Sequence, residues 1–150
     1  MEKAVKILVP IDFSRYSRET LDFALSLRGL FSATFLLVHV VPVGEVETFA
    51  TLGGEPTEVH LRQLETSQEE LEREAERRRG ELPDVEIACR VVMGVPFKQI
   101  CHLAEEDNAH LIVIGTHGRT GLSHLLLGST AERVVQHAPC PVLSVKPRVL

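Results

Sequence analysis

The chain has 150 residues, 44% hydrophobic and 25% charged, a globular composition with enough apolar mass for one domain spanning 1–150. A net charge of −5 without a broad basic face argues against nucleic-acid binding, and no apolar run approaches the roughly 18 residues of a membrane span. The start, MEKAVKILVP, lacks the long apolar region and cleavage site of a signal peptide, so a cytoplasmic location is expected.

Taken in order, residues 6–11 (KILVPI) form a short, nearly continuous apolar run, which predicts a strand buried on both faces. A helix is expected over 17–31, where Leu21, Ala24, Leu25 and Leu27 recur near helical spacing. Residues 34–41 (TFLLVHVV) read as a second buried strand closed by Pro42. The stretch 43–56, with Gly44, Gly53 and Gly54, has no period and reads as a mobile loop.

The longest helix is expected over 57–80, with Leu61, Leu64, Leu71 and Ala75 as its apolar stripe. Glu69 with Arg73 and Glu74 with Arg78 are i, i+4 pairs in the favourable order. Arg77, Arg78 and Arg79 fall in its last turn, where the helix dipole alone accounts for positive charge. Residues 85–92 read as a more exposed strand, and Pro96 opens a helix buried through Phe97, Ile100, Leu103 and Ala104. A fourth strand at 111–114, a helix over 130–137 and a fifth strand at Val142–Val145 complete the chain. Pro141 and Pro147 bracket the last strand, which places it at a sheet edge.

The order β-α-β-α-β-α-β-α-β shows no internal repeat. It predicts an α/β fold: a doubly wound parallel sheet with helices on both faces and right-handed crossovers. Ligands of such sheets sit beyond the C-terminal strand ends where strand order reverses, here after strands one and four.

After the fourth strand comes GTHGRTGLSHLLLGST, from Gly115 to Thr130. Its skeleton is Gly115, two residues, Gly118, nine residues, Gly128, then Ser129. Glycine lets backbone N–H groups approach an anion without a Cβ in the way, and a helix N-terminus adds unpaired donors and partial positive charge. The two glycine clusters can therefore hold a phosphate chain between them. Ser129 with Glu132 also reads as an S-x-x-E capping box, which needs no ligand. A G-x-x-x-x-G-K-[ST] loop is absent, and the first strand runs into Pro10-Ile-Asp12-Phe-Ser14, without a G-x-G-x-x-G dinucleotide fingerprint.

Together these residues make the chain resemble the universal stress proteins along essentially its full length. The features that carry the likeness are ILVPIDFS at 7–14, LVHVV at 37–41, the glycine skeleton, and HAPCPVL at 137–143. The skeleton matches the signature of the family's ATP-binding branch, with all its glycines present. The resemblance implies a flavodoxin-like five-stranded sheet in the order 3-2-1-4-5. It implies ATP, with Mg2+, as ligand: adenine near Pro10 and the backbone of Val40, and Asp12 at the ribose hydroxyls. Gly115, Gly118, Gly128, Ser129 and Thr130 would hold the phosphates, with Arg119 a further candidate. Asp12 can also be read as a helix-entry acid, and Arg119 as a solvated loop charge.

Seven histidines raise the question of a metal or a catalytic base. His39 reads as a satisfied core side chain. His102, His110, His117 and His124 have no i, i+4 spacing on a predicted helix, so no metal site is expected. No G-x-S-x-G elbow occurs, and no residue is nominated as a base beside the phosphates. Cys89, Cys101 and Cys140 form no paired spacing and read as small buried hydrophobes in a reducing compartment. The expectation is an ATP-binding regulatory protein without strong catalysis, the alternative being a slow ATP hydrolase or another nucleotide-dependent enzyme on the same fold. An apolar edge strand at Val142–Val145 further implies a homodimer, joined strand to strand, with an unidentified regulatory partner.

Overall fold

A computed structural model describes residues 3–43, 57–116 and 128–146. Its elements are β1 (Val5–Pro10), α1 (Arg15–Ser26), β2 (Ala33–Pro42), α2 (Glu58–Glu81) and β3 (Ile87–Gly94). They continue with α3 (Pro96–Glu106), β4 (Leu111–Gly115), α4 (Ser129–His137) and β5 (Val142–Val145). The five strands form one sheet in the order β3-β2-β1-β4-β5, and every pair is parallel. The parallel sheet is the one expected from the alternating elements, and its order is the one the family resemblance implies.

The continuous apolar strands follow from burial on both faces. Along β1, Ile7 and Val9 join Leu21 and Leu25 of α1, Leu71 of α2 and Val113 in one core. Leu8, between them, faces the other way and packs with Ile100 and Leu103 of α3 and Val134 of α4. Each fully buried Leu or Ile contributes about 1.5–3 kcal/mol relative to exposure. The strand's period of two thus distributes one short segment between two cores.

Helix starts are set by local chemistry. The Ser14 side chain caps α1 by accepting from the Ser17 N–H at 3.2 Å, and Thr57 caps α2 from the His60 N–H at 3.2 Å. Pro96 occupies the first turn of α3, where its missing N–H costs nothing. The first helix is shorter than the expected 17–31. It ends at Ser26 and tightens into a 3-10 turn at Leu27–Gly29 before β2.

Two further expectations are corrected. The stripe on α2 holds only in its C-terminal half: Leu71 and Ala75 are fully buried, whereas Leu61 is 49% exposed and Leu64 half-buried. The arginines of its last turn do more than answer the dipole. Arg78 is buried and pairs with Asp22 of α1 and Glu74 of α2, while Arg79 donates to the Ile87 carbonyl at 2.6 and 3.1 Å. They bind α2 to α1 and to the start of β3. The expected Glu74–Arg78 pair forms at 3.0 Å; Glu69–Arg73 is not among the ion pairs of the described residues. The loop at 44–56 lies outside the described residues.

Candidate functional site

Strand order reverses between β1 and β4, and the segments leaving their C-terminal ends enclose a cavity of about 380 Å³. That volume lies within the range of small-ligand pockets, roughly 300–1,000 Å³.

The wall after β1 is a braced turn. The Ile11 N–H donates to the Val38 carbonyl at 2.7 Å, carrying the β1–β2 pairing one residue beyond the strand. Asp12 then accepts from Ser14 twice, from its N–H at 2.9 Å and its hydroxyl at 2.6 Å. The same Ser14 oxygen accepts from Ser17, so strand end, carboxylate and helix start form one chain of hydrogen bonds. Between them Phe13 sits at φ 67°, a left-handed conformation that costs a non-glycine residue about 1–2 kcal/mol. Asp12 is therefore a helix-entry acid and a cavity wall at once, since a carboxylate has lone pairs for both.

The wall after β4 closes differently. Thr116 is buried; its N–H donates to Val145 at 3.0 Å and its carbonyl accepts from Gly128 at 2.8 Å. Gly128 is the N-cap of α4 at φ −60°, so positive φ is not what it supplies. A Cβ there would lie 3.2 Å from the Thr116 oxygen, so the glycine serves close approach of two backbones. Ser129 is already the first helical residue and no side chain caps α4. The expected Ser129–Glu132 capping box is thus not formed, because the Ser129 backbone lies inside the helix. The first-turn N–H groups of Ser129, Thr130 and Ala131 lack intrahelical acceptors by helix geometry, and all three residues line the cavity.

An apolar part of the lining comes from the β2–α3 side, Val40, Pro42, Pro96 and Ile100, with Pro10 beside them, while Ser17 and Thr20 of α1 add hydroxyls. Of the nine site residues expected from sequence, Pro10, Asp12, Val40, Gly115, Gly128, Ser129 and Thr130 line this one cavity. Gly118 and Arg119 lie outside the described residues, as do His117 and His124. Thr116 and Pro96 line the cavity without having been singled out for it. Thr116 stands inside the glycine skeleton, which was the available signal; Pro96 reads from sequence only as a helix start.

His39 is a core side chain as expected, with Nδ1 2.6 Å from the Ile11 carbonyl and its ring 4.4 Å from that of Phe13. It also lines the cavity. Among the described residues, no group of three or more His, Cys, Asp or Glu side chains could hold a metal. The cysteines are half-buried rather than buried. Burial pushes the Cys89 thiol up to about 11, and raises Cys101 and Cys140 as well. These are protonated thiols at neutral pH, poor nucleophiles and poor metal ligands.

A five-stranded parallel sheet in this order, with a cavity at its switch point, defines a flavodoxin-like α/β domain. Residues 4–146 match the universal stress protein family, and the chain belongs to it. It is 38% identical over 143 residues to universal stress protein MJ0531 of Methanocaldococcus jannaschii, covering 94% of this chain and 81% of that one. Universal stress protein MJ0577 of the same organism is 32% identical over 154 residues, 94% of each chain. The solved structure of MJ0577 superposes with a TM-score of 0.77, covering 97% of this chain and 98% of that one. A universal stress protein solved in complex with cAMP shares the fold, with a TM-score of 0.60 at 24% identity over 94% and 96% of the two chains.

Proposed function

We propose that this chain is an ATP-binding regulatory protein of the universal stress family, which takes the nucleotide in the switch-point cavity and acts as a homodimer in the cytoplasm. The observation that carries the reading is the division of that cavity. An apolar slot with Val40 and Pro10 suits a purine, Asp12 suits vicinal hydroxyls, and Gly128 with the start of α4 suits an anion. Gly118 and Arg119 of the intervening loop complete the phosphate cradle in this reading.

Mg2+ fits as an ion that arrives with the nucleotide. Asp12 is the only carboxylate among the described lining residues, and the Ser129 and Thr130 hydroxyls are oxygen donors. Magnesium keeps most of its waters and commonly binds through phosphates plus one or two protein oxygens. The chain's own part is to bind, orient and partly bury the ligand. Binding rather than turnover is proposed because a helix N-terminus and glycines hold phosphates without supplying a general base.

Calorimetry on the wild type and on Gly128→Val tests the reading. The valine side chain presses on Thr116 and screens the α4 N–H groups, so ATP binding is expected to fall at least tenfold, about 1.4 kcal/mol or more. Unchanged affinity in a folded Gly128→Val protein would sink the proposal. Phosphate released steadily over an hour at stoichiometric excess would replace it with the ATP hydrolase.

A further inference from the structure

The turn that presents Asp12 is held from β2 by one buried imidazole. We infer that His39 is the positioning residue of the sugar end of the site, acting on Asp12 through Ile11 and Phe13; the inference rests on the nucleotide-binding reading above. A carbonyl oxygen can only accept, so the 2.6 Å contact between His39 Nδ1 and Ile11 requires the proton on Nδ1. The Ile11 carbonyl belongs to the rigid peptide plane that ends at the Asp12 Cα. Fixing that oxygen fixes the origin of the Asp12 side chain.

The ring acts on the other neighbour too. It packs against Phe13 at 4.4 Å and 35°, beside a backbone held at φ 67°. His39 therefore touches the residues on both sides of Asp12, while the Val38 carbonyl holds the Ile11 N–H. Its burial is the second argument. His39 is 4% exposed and shares its strand face with Leu37 and Val41, where an apolar side chain would pack without desolvating a ring nitrogen. The bond to the turn satisfies the buried Nδ1.

Asparagine and leucine are close in size and shape, and the asparagine Nδ2 occupies the place of the imidazole Nδ1. His39→Leu is expected to lower the ratio of ATP affinity to inorganic triphosphate affinity about tenfold, the scale of one lost hydrogen bond, with triphosphate binding unchanged. His39→Asn is expected to keep that ratio within about twofold of wild type. Equal ratios in the leucine variant and the wild type overturn the inference, as does equal loss in both variants.

Two measurements need no nucleotide. Hydrogen exchange at the Ser14 amide, which Asp12 protects, is expected to quicken in His39→Leu and not in His39→Asn. Nitrogen NMR of the wild-type imidazole is expected to show a protonated Nδ1; a bare Nδ1 overturns the inference whether or not the leucine variant folds. A wild type that binds neither ligand overturns the nucleotide reading and the sugar assignment with it. The exchange and imidazole signals then still decide whether His39 sets the turn.

Discussion

At the scale of single residues, Asp12 carries the sharpest chemical claim. Its carboxylate is tied to Ser14 at 2.6 and 2.9 Å and faces the cavity from the end of β1. Asp12→Ala removes a charge-assisted acceptor, which typically costs about 1.5–3 kcal/mol. The loss is expected for ATP and not for inorganic triphosphate, read by calorimetry on both ligands. Equal losses for the two would show that Asp12 does not read the sugar. Much of this site was legible because glycine, serine and an acid at strand ends are local signals. Gly115, Gly128 and Asp12 declare themselves by type and by the strand before them. His39 and Thr116 do not. The role of His39 depends on a contact 28 residues away, and that of Thr116 on the return of the chain at Gly128 and Val145. No local pattern encodes the first, and for Thr116 the glycine skeleton marks the segment but not the contact.

At the scale of elements, α2 divides into a half that holds the fold and a half that does not. Leu71 is fully buried in the core that also holds Ile7, Leu37 and Ile87, so Leu71→Ala is expected to destabilise by about 2–5 kcal/mol in urea unfolding. Leu61→Ala, on the exposed half, is expected to stay within about 0.5 kcal/mol of wild type. The sequence pattern treated the two leucines alike, because helical spacing reports a face and not how far the neighbouring sheet extends beneath it. Arg78 was equally opaque: its buried head, 9% exposed, meets Asp22 from another helix. Asp22 is 60% exposed and screened by water, so Arg78→Ala is expected to cost about 2 kcal/mol rather than the full penalty of a buried pair. Acid adds a related test through Glu74. Burial opposes its charge, but hydrogen bonds from Arg77 and Arg78 prevail and hold its carboxyl below the ordinary value. That contribution is complete above the unfolded carboxyl's pKa and is lost as pH falls through the lower folded one. Glu74→Gln is therefore expected to flatten the acid limb of the stability curve and leave its shape near neutrality unchanged.

At the scale of the whole molecule, the parallel sheet and the edge position of β5 were legible, since buried runs, alternation with helices and flanking prolines are features of the chain itself, whereas the strand order came from the family resemblance. What β5 meets outside the chain is a prediction. It pairs with β4 on one side, from Ile112↔Val142 to Gly115↔Val145, and ends the sheet on the other. Val142, Leu143 and Val145 remain only half-buried. An apolar edge strand of this kind invites pairing with another chain, and a two-fold dimer satisfies it with its own copy. The cavity lies one hydrogen bond from this edge, because Thr116 both donates to Val145 and accepts from Gly128. A ligand that orders Gly128 and the start of α4 would thereby favour one setting of β5, which gives nucleotide a route to assembly. Charging the edge with Val142→Glu and Val145→Glu is expected to yield monomers that keep the wild-type circular dichroism. ATP is expected to tighten the wild-type dimer and to leave the charged variant monomeric. Light scattering that finds the wild type monomeric at tens of micromolar, with and without ATP, would rule out pairing through β5.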